Sequence, residues 1–162
     1  MAVPKIASNG FGRIGRIVTR IAKMRRHFDV VAINDLTDPE HLAYLFKYDS
    51  VHGVYPGDVR LDGETMVIDN DPFQVLSERD PAKLPWGALG VDYVIESTGK
   101  FLRIQELQHH LDAGAQRVIV TVPTRDDLEV VFQKWRWPFL HRPSKGIAVD
   151  KQANHDVMNL SH

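Results

Sequence analysis

One stretch near the N-terminus, Ala7-Ser8-Asn9-Gly10-Phe11-Gly12-Arg13-Ile14-Gly15, holds the residues best spaced to do chemistry. Gly10, Gly12 and Gly15 stand at G-x-G-x-x-G spacing, after the apolar run Val3 to Ile6 and at the head of a helical pattern. A strand, a glycine turn and a helix in that order form a cradle for a pyrophosphate. Gly10 permits the tight turn, Gly12 lets a phosphate reach the backbone, and Gly15 lets helix and strand pack closely. Exposed N–H groups and the helix dipole then face the anion. A second signal follows. Phe28 to Asp35 reads as a buried strand that ends in an acid. Asp35 lies about 20 residues past Gly15, where such a unit places the carboxylate that takes the adenosine ribose hydroxyls.

These groups need a scaffold, and the hydrophobic periodicity supplies one. Val3–Ser8 is the first strand. Gly12–Arg26 is a helix, with Ile14, Ile17, Val18, Ile21 and Ala22 on one face and Lys23, Arg25 and Arg26 at its C-terminal end. Asp29–Asn34 is the second strand. Asp38 is an N-cap and Pro39 a first helical residue, predicting a helix to Phe46 with Leu42, Leu45 and Phe46 inward. Lys47–Gly53 reads as a loop. Asp58–Leu61, Thr65–Ile68 and Phe73–Ser77 alternate as short strands joined by turn residues, a small antiparallel meander. Asp80–Pro85 is a loop and Trp86 a packed anchor. Val91–Glu96 is a buried strand running into Ser97-Thr98-Gly99, and strand ends of that kind meet ligands in open parallel sheets. Ile104, Leu107 and Leu111 mark a helix that stops at Gly114, and Val118–Val122 is the next strand. The order βαβα, an antiparallel insertion, then βαβ predicts a mostly parallel, doubly wound α/β sheet.

Past Pro123 the pattern changes. Thr124–Val131 reads as a helical turn and a strand. Phe132–Lys145 interleaves Trp135, Trp137 and Phe139 with Lys134, Arg136, Arg142 and Lys145 and has no acid. Aromatics between bases can clamp single-stranded nucleic acid; a solvent loop with a few packed aromatics is the preferred reading. Gly146–Val149 reads as a strand and Gln152–Asn159 as a short helix. The expected division is 1–123 for the nucleotide-binding domain and 124–162 for a divergent C-terminal part of the same domain.

Bulk properties bound the rest. Hydrophobic residues make up 43% and charged residues 25%, ordinary for a globular protein. A net charge of -1 gives no general reason to expect nucleic acid or an anionic membrane as partner. No run is long and apolar enough for a membrane span. The N-terminus lacks a signal-peptide pattern, so a cytoplasmic location is expected. There is no cysteine, which removes disulfides, thiolate metal sites and a cysteine nucleophile from these residues. No metal site is expected.

Six blocks in order now point to a family: Asn9 to Gly15, Asn34-Asp35, Lys47 to Gly53, Glu78-Arg79-Asp80-Pro81, Trp86-Gly87 and Glu96 to Gly99. Together they resemble the cofactor domain of phosphorylating glyceraldehyde-3-phosphate dehydrogenase, a Rossmann-type fold, from Val3 to Pro123. The resemblance implies NAD as cofactor. Asn9, Gly10 and Gly12 would form the cradle, with Arg13 and Ile14 offering backbone N–H groups to the pyrophosphate. Asp35 would take the adenosine ribose and disfavour a 2′-phosphate. Asn34 and Arg79 would lie at the adenine end, Thr98 and Gly99 would floor the groove, and Thr121 would stand near the nicotinamide. The Lys47–Gly53 loop looks like a subunit or domain boundary, and a homotetramer is implied for the full-length protein.

The departures matter as much. Where the family has Gly and an apolar residue before the motif, this chain has Ala7 and Ser8, so a methyl is expected beside the tight turn. The family's chemistry needs a cysteine thiolate and an activating histidine, and neither is assignable here. The family's catalytic second domain is missing from this sequence. Asn154–His162 resembles the segment leading into the cysteine motif. The expected function is therefore the NAD-binding half of such an enzyme, inactive alone, with no catalytic residue. An erythrose-4-phosphate dehydrogenase and a non-catalytic nucleotide- or RNA-binding module are the alternatives. The histidines, including His109-His110, read as surface or packing residues.

Overall fold

The strands form where β-branched and apolar residues run together, and the helices where the apolar period lengthens. In the computed structural model, which describes residues 3–126 and the backbone of 147–150, the first strand is β1 (Lys5–Asn9). It leads through the glycine turn into helix α1 (Arg13–Arg25). Gly12 is the N-cap of α1, and Arg26 closes it in the left-handed region at φ 52°. Strand β2 (Asp29–Asn34) and helix α2 (Pro39–Lys47) follow, the latter capped by Asp38, whose carboxylate accepts from the His41 N–H at 3.2 Å.

The stretch read as a loop at Lys47–Gly53 is more ordered than expected. It carries a two-stranded hairpin, β3 (Tyr48–Asp49) with β4 (Gly53–Val54). The buried Arg20 guanidinium explains this, because it donates to the carbonyls of Phe46, Lys47 and Gly53 and ties the hairpin base to α1. The meander forms as expected from β5 (Val59–Asp62), β6 (Thr65–Ile68) and β7 (Asp71–Leu76). Asp69 and Asn70, both at positive φ, make the tight turn between β6 and β7. Pro81–Lys83 adds one 3-10 turn and Trp86–Leu89 a short helix, α3. Strand β8 (Tyr93–Glu96), helix α4 (Ile104–Asp112) and strand β9 (Arg117–Val120) complete the second half, and β10 (Ile147–Asp150) lies at the edge.

The main sheet has the order β10-β9-β8-β1-β2-β7-β6-β5. Its five central strands are parallel, and β10, β6 and β5 run antiparallel at the edges. The meander is therefore an extension of the sheet, joined by parallel pairing of β7 to β2. The turn-strand reading of 124–131 beyond Asp126, the Phe132–Lys145 segment and the Gln152–Asn159 helix lie outside the described residues.

Each face of the sheet has its own core. One holds Ile6, Phe11, Val30, Ile33, Leu42 and Phe46 beneath α1 and α2. The other holds Ala7, Ala32, Trp86, Val94, Leu107 and Leu111 beneath α3 and α4. Alternation along a strand sends Ile6 and Ala7 to opposite faces. A register shift opposite Val31 lets Val30 and Ile33 reach the same core although they are three positions apart. Trp86 is fully buried, as expected of an anchor.

Two details differ from expectation. Helix α1 turns Gly15, Thr19 and Ala22 inward, while Ile14 and Ile21 are exposed at 46% and 47%. The reason is steric. A Cβ on Gly15 would stand 2.3 Å from the Gly10 carbonyl oxygen, so the helix approaches through its small residues and Ile14 and Ile21 rotate outward. Ala7 sits within β1 and not in the turn, and its methyl is buried in the second core.

Candidate functional site

The glycine turn is pressed against the loop that follows β8. Gly10 has φ +92°, and a Cβ there would stand 2.8 Å from the Thr98 nitrogen. The turn is fastened on three sides. Gly10 N–H donates to the Asn34 carbonyl at 2.8 Å, and the Ser97 N–H donates to the Asn9 carbonyl at 2.8 Å. The Ser8 and Ser97 hydroxyls both donate to the Gly10 carbonyl at 2.8 Å. Gly12 differs from its neighbours. A Cβ there would meet nothing within 4 Å, so nothing inside the protein requires a glycine at this point. It lines an open groove and caps α1 without any side-chain hydrogen bond, and no acid lies in the first helical turn. The first N–H groups of a helix have no partner within it, and here their positive end points toward the groove for an anion.

Asp35 stands across from this helix start. One carboxylate oxygen accepts from the Phe11 N–H at 2.7 Å and the other from the Thr37 N–H at 3.0 Å. Burial pushes this carboxyl up, but hydrogen bonds from the backbone of Phe11, from Thr37 and from Leu36 outweigh it and hold it below its ordinary value. The acid is thus charged and fixed to the middle of the glycine motif.

The groove measures about 420 Å³. Among its walls are seven residues singled out from sequence: Asn9, Gly10, Gly12, Asn34, Asp35, Arg79 and Thr98. Arg13, Ile14, Gly99 and Thr121 do not line it. Arg13 and Ile14 form the exposed first turn of α1, and Gly99 continues the loop after Thr98. Thr121 lies past β9, where its hydroxyl donates to the Glu96 carbonyl at 3.1 Å. The walls also include Leu36, Thr37, Glu78, Ser97, Lys100 and Phe101. Adjacency to Asp35 and to Thr98 was the only sequence signal for most of these.

The floor is polar and buried. Asn9 and Asn34, neighbours on the last rung of β1 and β2, are 1% and 5% exposed. The Asn34 amide donates to the Asn9 side-chain oxygen at 2.7 Å and to the Glu78 carbonyl at 2.9 Å, and accepts from the Glu78 N–H at 2.8 Å. Both asparagines therefore shape the groove and spend their side chains within the protein.

Residues 4–104 match the family model for the glyceraldehyde 3-phosphate dehydrogenase NAD binding domain. The chain belongs to this family. It is similar over 121 residues, at 54% identity, to glyceraldehyde-3-phosphate dehydrogenase from Eremothecium gossypii, covering 74% of this chain and 37% of that protein. It is 53% identical over 122 residues to glyceraldehyde-3-phosphate dehydrogenase 1 from Kluyveromyces lactis, with 75% and 37% covered. The chain thus spans just over a third of the length of the curated relatives it matches.

NAD is the cofactor of this family domain, and the groove fits it. The bare Gly12, the uncapped helix start and the fastened Asp35 offer, in one hollow, what a pyrophosphate and a ribose diol need. Among the described residues no helix is long and apolar enough to cross a membrane, and no cluster of metal-ligating side chains is found.

Proposed function

We propose that this chain is the coenzyme-holding part of an enzyme that oxidises and phosphorylates glyceraldehyde 3-phosphate to 1,3-bisphosphoglycerate with NAD in glycolysis. The observation that carries the reading is the bond from Phe11 N–H to Asp35. It locks the sugar-recognising acid to the turn that presents N–H groups to the phosphates, so two halves of one ligand are recognised at fixed spacing. Arg13 and Ile14 hold the pyrophosphate through their backbone, behind the bare Gly12. Asp35 accepts from the adenosine ribose hydroxyls and repels a 2′-phosphate. Leu36 and Phe101 supply the apolar walls for adenine, with Asn34 and Arg79 nearby. Thr98 and Gly99 floor the centre, and Thr121 stands toward the nicotinamide. Bound NAD supplies a hydride acceptor. This chain orients it and holds the charge around it.

The sequence has no cysteine, so the acyl-forming thiolate belongs to other parts of the protein, and this chain alone is inactive. The whole protein is a cytoplasmic homotetramer in this reading, with no membrane or nucleic-acid partner. Calorimetry tests the site. NAD binds the folded chain and NADP binds more weakly. Asp35→Asn weakens NAD by about tenfold, the scale of a lost charge-assisted hydrogen bond, and narrows the gap to NADP. An NAD affinity that Asp35→Asn leaves unchanged overturns the reading.

A further inference from the structure

The buried polar floor continues beyond Asn9, away from the groove. Glu96, on the last rung of β8 beside Asn9, is 1% exposed. One of its oxygens accepts from the Thr98 N–H at 2.9 Å and from the Thr98 hydroxyl. The other accepts from the Asn9 amide at 2.6 Å and lies 3.0 Å from His110 Nε2. His110 is fully buried, on the inner face of α4. Its Nδ1 stands 3.0 Å from the Trp86 indole nitrogen. An indole N–H can only donate, so Nδ1 must carry the lone pair. The remaining proton is then on Nε2 and points at Glu96. Geometry alone thus fixes a neutral imidazole with one tautomer, and four donors converge on a carboxylate that accepts all of them.

The direction of every bond follows from this. Trp86 donates to His110, and His110 donates to Glu96. Asn9 also donates to Glu96, and Asn34 donates to Asn9. The chain crosses α3, α4, β8, β1 and β2 without a gap. It ends on two parts of the groove, Thr98 of the loop and the Asn34–Glu78 clamp. The His110 ring also stands edge-on to Phe101, a wall of the groove, at 6.2 Å and 87°. A network of this kind, fully satisfied and buried, has a single low-energy arrangement.

We infer that His110 is a positioning residue for coenzyme binding: held by Trp86 in the Nε2–H form, it orients Glu96, and through Glu96 it sets Thr98 and Asn9 at the groove. This rests on the reading of the groove as the NAD site. His110 itself does not line the groove.

The test uses the chain itself with NAD as the probe. In ¹⁵N-histidine spectra, His110 shows an unprotonated Nδ1 and a protonated Nε2; the opposite tautomer or a doubly protonated ring overturns the inference. His110→Leu removes the donor to Glu96 and weakens NAD by about tenfold, the scale of one lost buried hydrogen bond. His110→Gln keeps an N–H that can donate to Glu96, and it recovers most of the affinity. Equal losses in both variants mean a packing role only and overturn the inference. Should the leucine variant fail to fold, Trp86→Phe decides: it frees the tautomer and weakens NAD severalfold, and an unchanged affinity counts against the proposal. A wild-type chain that shows the stated tautomer but binds no NAD overturns the groove reading, and the positioning role with it.

Discussion

Asp92 and Glu96 bracket the same short strand, β8, yet they live by different physics. Asp92, at the opening end, is partly exposed and accepts from the Lys5 N–H at 2.8 Å and the Gln116 side chain at 2.9 Å. Glu96, at the closing end, is buried and takes four donors from two other elements and the following loop. Water can replace the partners of the first acid, and nothing can replace those of the second. The opening ends of the parallel strands are therefore tolerant, while the closing ends form a rigid polar floor. That floor is where the groove lies, so the rigidity falls on the groove side.

Breaking this contrast begins with Glu96→Ala. Removing the carboxylate leaves several buried donors without an acceptor, and the chain loses about 3–5 kcal/mol of stability, read from denaturant unfolding. A loss below about 1 kcal/mol would make the two ends equivalent. Asp92→Ala removes bonds that water restores, and the same measurement gives about 1 kcal/mol or less. The smallest effect sharpens the exposed case. The Asp49 carboxyl accepts from the backbone of His52 and Val51 at the hairpin turn, and these bonds hold its pKa down at about 2. A depressed folded value stabilises above the unfolded value of about 3.9, and the contribution fades as pH falls from there through 2. An NMR titration of the Asp49 carboxyl shows a midpoint near 2; a midpoint near 3.9 means the turn bonds do not hold in solution.

Much of the fold was legible because its signals are local. The glycine spacing, the strand ending at Asp35, the Asp38-Pro39 helix start and the meander turns each depend on a few adjacent residues. The apolar stripe of α1 is split: Val18 and Ala22 pack on the core, while Ile14 and Ile21 do not. Periodicity reports that a helix has an apolar stripe, and the close approach at Gly15 decides which residues can face the sheet. The hairpin at Lys47–Gly53 has no local sequence signal because the cation that organises it, Arg20, lies on another element.

The residue types and their spacing determined a nucleotide-binding α/β chain, and they set an acid and three glycines at the spacing of a dinucleotide-binding motif. Only the tertiary structure decided what His110 and Glu96 do. Glu96 stands in a local block with Thr98, but the other partners that give the pair a role, Trp86 and Asn9, are brought together by strand order and helix packing. A hydrogen bond has short range and fixed direction, so a network of them exists only once the chain has folded around it.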